Sequence, residues 1–259
     1  MFPDIANLDR LVVGFVLTFF RVAGLMLMAP LFGSGRVPRR VKLMMALVMA
    51  LTMISSLDVM KWTPPQNMGQ MVVGLIGEML FGIGMGMLVS FVFIAAQWAG
   101  EMISTQIGLS ISEVFDPQFG GAGSVIGDLY FMLTTATFLI VGGHRQLVIG
   151  TYESLVHLPP LSMIFDQSLF DLVLKALVAA TLLAMRLAAP LFVTMIVVDV
   201  AMGCISKTVP QLNVMSAGMA LRGLLGLIVM YLGVPIAVSV IGQDLESALV
   251  VFRQLFNAR

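Results

Sequence analysis

The stretch QWAGEMISTQIGLSISEVFDPQFGGAGS, residues 97–124, is the one long interruption between strongly apolar segments of the chain. Its first half keeps a helical rhythm, because apolar residues recur at intervals of one and four from Met102 to Ile111. Its second half is not helical, because Asp116 precedes a proline and three glycines come within seven residues of it. Irregular backbone is tolerated at membrane depth only inside protein or beside water. The stretch is therefore either a functional element of the protein or an ordinary surface loop.

The composition assigns the chain to the integral membrane proteins. Of its 259 residues, 59% are hydrophobic and 11% are charged, and the mean hydropathy is +1.02. The 14 basic and 14 acidic residues cancel, so no basic field attracts nucleic acid. The 22 methionines are consistent either with the filling of irregular gaps in the core or with a flexible seal around a substrate of variable shape. We expect membrane lipid around the protein and no nucleic-acid partner.

Residues typical of catalytic and metal sites are scarce. Cys204 is the single cysteine and is interpreted as packing, and no group of Cys and His has metal-ligand spacing. His144 and His157 are predicted to lie in connections, and no serine lies in a G-x-S-x-G turn. We therefore predict no enzyme activity, no catalytic residue, no metal and no cofactor.

Six apolar segments predict an all-α, polytopic membrane protein with about six long, kinked helices. The fifth segment is too long for one straight span and contains Pro190. The segments cover about residues 11–32, 41–57, 71–96, 125–141, 172–200 and 224–241.

Charged residues within these segments predict burial by protein, because a charge in hydrocarbon is costly. The residues are Arg21, Glu78 and Arg186. Asp128 and Asp199 could imitate an aspartyl catalytic pair, but their flanking residues give no support for shared-proton chemistry. Each is interpreted as a helix cap or as an ion-pair partner for Arg21 or Arg186.

Glycines in the third segment predict close helix packing. The sequence FGIGMGM, residues 81–87, leaves two neighbouring helix faces without side chains at Gly82, Gly84 and Gly86. The glycine pattern of a phosphate-binding loop is not completed, because Met87 stands where a glycine is needed. We expect partner helices to bury this face together with Arg21 and Arg186.

Five motifs in order resemble the FliR family of flagellar export-gate proteins, which includes the T component of injectisome type III secretion systems. The similarity runs over nearly the whole chain. The motifs are R-x8-P at 21–30, VPRRVK at 37–42, QIGLSISEVFDP at 106–117, GGH at 142–144 and VPQLNV at 209–214.

This resemblance implies a single export-gate domain, residues 1–259, in a hetero-oligomeric helical assembly. The implied partners are several FliP-like and FliQ-like subunits, an FlhB-like subunit, and unfolded flagellar proteins that pass through the pore. The implied location is the bacterial inner membrane at the flagellar basal body, with a gate largely lifted out of the bilayer plane. The alternative is a secondary transporter of a small solute that uses Glu78, Arg21 or Arg186.

The resemblance also implies that roughly residues 106–123 plug the closed channel, and we assign the plug loop to the stretch 97–124 that contains them. Apolar side chains would close such a pore by excluding water, and glycines would allow the plug to move. The predicted plug residues are Gln106, Ile107, Leu109, Ile111, Val114, Phe115, Asp116 and Pro117, and the predicted hinge residues are Gly120, Gly121 and Gly123.

Overall fold

The described residues of the computed structural model, 5–30, 38–57, 62, 64–109, 124–161, 167–208 and 214–257, form seven α-helices and no strand. This confirms the predicted all-α fold. The helices are α1 (Ile5–Met28), α2 (Arg39–Ser56), α3 (Met68–Ile107), α4 (Val125–Ile140), α5 (Gly143–His157), α6 (Gln167–Thr208) and α7 (Val214–Asn257).

Four of these helices are long and apolar enough to cross a membrane. Their candidate spans are Asp9–Met28, Met68–Ile107, Phe170–Thr208 and Gly218–Arg253, and α4 with α5 adds a fifth if the bent pair is one span. The second predicted segment, residues 41–57, lies in α2, which has three basic residues among its first four. The polytopic helical architecture therefore agrees with the sequence.

The chain turns sharply between α4 and α5. Gly142 has φ +73°, a backbone angle that side chains disfavour, and α5 starts at the next residue. The prediction that His144 and His157 lie in connections is wrong, since both belong to α5.

Packing divides the chain into two units. The first comprises Met1–Phe91, Gly142–Leu177 and Glu246–Arg259, and the second comprises Val92–Val141 and Val178–Leu245. Helices α3, α6 and α7 each contribute residues to both units. The interpretation of the whole chain as one export-gate domain stays a prediction.

In the first unit, α1 packs against α2 and α3, and α5 packs against the end of α7. A Cβ placed on Gly150 of α5 would overlap the buried ring of Phe252 in α7, so the ring lies directly on this glycine. In the second unit, Phe93 stacks edge-on with Phe131 and Phe138, at centroid distances of 5.7 and 5.5 Å. These contacts give each unit its own apolar core.

Candidate functional site

A buried charge cluster joins α1, α3 and the end of α5 in the first unit. Arg21 of α1 is fully buried, and its Nε donates to Glu78 Oε2 of α3 at 2.5 Å. Its Nη1 donates to the carbonyl oxygens of Ser154 and Leu158, each at 3.0 Å. The guanidinium carbon also lies 4.9 Å from the centre of the Phe81 ring, within cation–π range. One arginine thus holds three chain segments together.

Arg21 caps the C-terminal end of α5. The last carbonyls of a helix have no intrahelical donor, and the helix dipole leaves partial negative charge there. Since α5 ends at His157, the Leu158 carbonyl is one of these groups, and the guanidinium supplies both a donor and a positive charge. The Ser154 hydroxyl accepts a further Nη1 bond at 3.2 Å. The cluster therefore fixes where α5 ends against α1.

Glu78 fixes the turn after α5. Its side chain is 1% exposed, and Oε1 accepts a hydrogen bond from the Leu161 backbone N–H at 3.2 Å. Leu161 has φ +67°, which is rare for a residue with a side chain and persists only where neighbours hold it. The carboxylate is thus bonded on one oxygen to the guanidinium and on the other to this turn.

The cluster is closed and electrically balanced. One guanidinium faces one carboxylate, and both are shielded from solvent. Arg21 Nη2 and Thr18 Oγ1, one helical turn apart, lack a hydrogen-bond partner among the described residues. Such a pair acts as a structural fastener. It offers no free charge to a solute, so it does not favour the transporter alternative.

The predicted charged residues have different surroundings. The chain's own helices bury Arg21 and Glu78, so Arg21 does not need the partner helices predicted to cover it. Arg186 is exposed in the single chain, and its burial stays a prediction about the assembly. Asp199 pairs with Arg222, and not with Arg21 or Arg186 as the sequence suggests.

Nothing in the sequence marks Ser154, Leu158 and Leu161 as contacts of the cluster. All three contribute backbone atoms, which any residue type carries. Pro159 and Pro160 indicate a turn here, but not which side chain meets it.

Two of the third-segment glycines, Gly82 and Gly86, lie where α1 and α3 touch. Gly82, Gly84 and Gly86 are buried, and a Cβ on Gly82 would overlap the Arg21 carbonyl oxygen. A Cβ on Gly86 would lie 2.9 Å from the carbonyl oxygen of Leu25. From the opposite helix, a Cβ on Gly24 would overlap the carbonyl of Met79. We call Gly24, Gly82 and Gly86 the glycine seam; their backbones bring the two helices together within this chain rather than against a partner.

The structure describes both ends of the stretch 97–124, at residues 97–109 and at Ser124. Helix α3 continues through Ile107, which confirms the predicted helical rhythm to that residue, but the helix ends there and does not extend to Ile111 as predicted. Gly108 then has φ +88°, and the N–H groups of Gly108 and Leu109 both bond the Ser104 carbonyl oxygen at 3.1 Å, a typical helix stop. Ser124 starts α4, because its Oγ accepts a hydrogen bond from Gly127 N at 2.9 Å.

The predicted plug residues fall partly on this described part. Ile107 is buried, Gln106 is half-buried and Leu109 is 39% exposed. A Cβ on Gly226 of α7 would lie 2.7 Å from Ile107 Cδ1, so Ile107 packs in the core of the second unit. The remaining plug and hinge residues lie outside the described residues: Ile111, Val114, Phe115, Asp116, Pro117, Gly120, Gly121 and Gly123.

Residues 12–248 match the family described as "Bacterial export proteins, family 1". The chain belongs to this family. The chain is 30% identical over 214 residues to the flagellar biosynthetic protein FliR of Bacillus subtilis (strain 168), covering 80% of this chain and 81% of that protein. It is 24% identical over 257 residues, 98% of each chain, to FliR of Aquifex aeolicus (strain VF5). It is also 27% identical over 167 residues, 64% of each chain, to the secretion system apparatus protein SsaT of Salmonella typhimurium.

The family match contains every element of the site. The charge cluster, the glycine seam and residues 97–124 all lie between residues 12 and 248. The resemblance to the FliR family, read from five motifs, is therefore confirmed. As a bacterial export protein with long apolar helices, the chain is a membrane component of a type III export apparatus.

Proposed function

We propose that this export protein is a structural and gating subunit of the inner-membrane gate of a flagellar type III export apparatus. In this proposal FliP-like and FliQ-like subunits complete the pore and an FlhB-like subunit contacts it. Unfolded flagellar proteins are the cargo. The subunit performs no chemistry and acts by forming and closing a passage.

The observation that carries this proposal is the excess of apolar helix surface. The candidate spans in α6 and α7 contain 39 and 36 residues, but only 22% and 17% of their most apolar windows are buried within the chain. A helix of 39 residues is about 58 Å long, roughly twice the hydrocarbon thickness of a bilayer. A tilt of about 40° still leaves about 45 Å across the membrane. Other subunits are needed to cover the apolar surface of α6 and α7 that extends beyond the hydrocarbon layer.

The two ends of the proposed plug are held close together. Helices α3 and α4 touch at Gly100 and Gly127, where a Cβ on Gly100 would lie 2.7 Å from Gly127 N. Helices α3 and α4, which carry the two described ends of the stretch 97–124, therefore pack against each other. A segment with both ends fixed on packed helices suits a plug that moves aside and returns.

Deletion of residues 108–121 tests the plug. We expect the complex to assemble and to leak, because a pore wide enough for an unfolded polypeptide passes ions unless apolar residues close it. The measurement is the decay of an ion gradient in vesicles that contain the purified complex and no cargo. A variant with Ile111→Ser, Val114→Ser and Phe115→Ser keeps the loop length and should leak as well. Vesicles that hold the gradient as well as wild type in both cases would show that this stretch is a surface loop.

Copurification tests the assembly separately. Expressed with FliP-like and FliQ-like subunits, the chain should be recovered in one hetero-oligomer and should be short-lived without them. A monodisperse, long-lived monomer in detergent would contradict the proposal. Binding of a small solute by that monomer would instead support the transporter alternative.

A further inference from the structure

Two buried polar atoms of α1 are left over by the hydrogen bonds of the charge cluster. Arg21 uses Nε on Glu78 and Nη1 on Ser154 and Leu158, but its Nη2 lacks a hydrogen-bond partner among the described residues. The hydroxyl oxygen of Thr18 lacks one as well. Both side chains are fully buried. Because a buried polar atom without a partner costs free energy, and a charged group most of all, these two atoms indicate a small polar ligand.

The hydroxyl of Thr18 is oriented differently from those of other buried threonines in this chain. Thr134 and Thr151 are equally buried, and each donates its hydroxyl to the carbonyl four residues earlier in its own helix, at 2.8 and 2.7 Å. Thr18 lies within α1 but does not form this bond. Its hydroxyl is therefore available to a group outside its own backbone.

The side chain of Arg21 leans toward Thr18. Helical side chains slant toward the N-terminal end of their helix, so that residue i lies over residues i−3 and i−4. Thr18 is residue i−3 of Arg21, and residues at this spacing are neighbours on the helix surface. The guanidinium and the hydroxyl thus share one face of α1, where a single small molecule can contact both.

We propose that one water molecule bridges Arg21 Nη2 and Thr18 Oγ1 and completes the charge cluster. The water oxygen accepts a hydrogen bond from the guanidinium, and the water forms a second hydrogen bond with the threonine hydroxyl. A further O–H of the water is available to the Glu78 carboxylate, in keeping with the about three hydrogen bonds that buried waters form. Thr18 is then a positioning residue, because it holds the water that holds the guanidinium at the end of α5.

The charge balance and the burial of the site favour water over an ion or a protein group. Arg21 and Glu78 already neutralise each other, so an added ion would bring an unpaired charge into the interior. The chain's own helices cover Thr18 and Arg21, so a side chain of another subunit does not reach them. Water is neutral and small, and it both donates and accepts hydrogen bonds.

A small cavity brings solvent close to this site. Its volume of about 20 Å³ accommodates about one water molecule. The residues that line it are Arg10, Val13, Gly14, Leu17, Trp62, Pro64 and Pro160. Arg10 and Pro64 are exposed, so the cavity meets solvent, and Gly14 lies four residues before Thr18 on the same face of α1. Water therefore reaches α1 within about one turn of the proposed site.

The substitution Thr18→Val tests the bridge through the direction of its effect. Valine keeps the branched shape but has no hydroxyl, so it removes one partner of the bridging water and should lower the temperature at which the assembled complex dissociates on native gels. If the hydroxyl were a buried group without a partner, Thr18→Val should raise that temperature. Thr134→Val is the matched control, because the Thr134 hydroxyl bonds within its own helix, and it should shift the temperature little.

A density map of the assembled complex, at a resolution that shows ordered water, locates the water directly. We expect a peak within about 3.2 Å of both Arg21 Nη2 and Thr18 Oγ1 in the wild type, and no such peak in Thr18→Val. A wild-type map without the peak, or with Nη2 bonded directly to the threonine hydroxyl, would overturn the proposal. So would a Thr18→Val complex at least as heat-stable as wild type. None of these results bears on whether the chain is an export-gate subunit, because all are measured on the assembled complex.

Discussion

Removing Glu78 should destabilise the protein more than any other single change to a carboxylate in the described chain. Glu78→Leu leaves the fully buried Arg21 guanidinium without its counter-charge, which costs about 3–5 kcal/mol. It also leaves the Leu161 N–H without its acceptor, which adds about 1–3 kcal/mol. Even the lower sum, about 4 kcal/mol, changes a folded-to-unfolded ratio by nearly three powers of ten.

The double substitution Arg21→Leu with Glu78→Leu should be milder than either single change. It removes both charges together, and a buried pair replaced by apolar residues is often neutral or stabilising. The Ser154 carbonyl keeps its bond from Leu158 N, so the main remaining losses are at the Leu158 carbonyl and Leu161 N–H. We expect a coupling energy of about 3 kcal/mol between the two positions.

The assay is the fraction of intact complex on native gels after membrane extracts are heated through a temperature series. Glu101→Leu is the control, because Glu101 is on the same helix but only half-buried. A Glu78→Leu complex as heat-stable as the Glu101→Leu complex would show that the pair is not a fastener. A double variant less stable than both single variants would contradict the conclusion that the cluster is closed and electrically neutral.

Two further predictions concern glycines. Gly82→Leu should reduce the amount of assembled complex, because its Cβ would overlap the Arg21 carbonyl. A Cβ on Gly77 of the same helix meets no atom within 4 Å, so Gly77→Leu should assemble normally. Equal amounts of both on native gels would contradict the packing argument. Gly226→Ala should cost about 1–3 kcal/mol by overpacking Ile107, and Ile107→Ala should restore heat stability in the double variant; a double variant no better than Gly226→Ala would contradict this contact.

The sequence predicts those features that depend on local pattern. Apolar runs predict the long helices, and the glycine spacing predicts the face on α3 that meets another helix. The rhythm from Met102 to Ile111 predicts a helix there, which the structure shows as far as Ile107. In each case the information lies within a few turns of one helix. Local geometry decides these features, so the sequence is sufficient.

Pairings between distant residues are not predictable in the same way. Arg21 pairs with Glu78 and binds the end of α5, and Asp199 pairs with Arg222, because tertiary packing brings these residues together. The glycines at 142 and 143 correctly predict the end of a helix, but a second helix starts at once. A glycine permits such a turn without specifying whether the next residues form a loop or a helix.

The charge cluster also sets an order of events during synthesis. Arg21 is made 57 residues before Glu78 and 133 residues before Ser154. At about 5–20 residues per second, the ribosome needs about 3–11 s to supply the counter-charge and about 7–27 s to supply the carbonyl. Throughout that interval α1 carries a positive charge in the middle of an apolar helix, so it cannot settle in lipid as finished helices do. We therefore expect the insertion machinery or the water interface to hold α1 until α3 and α5 have been made and the fold can close around it.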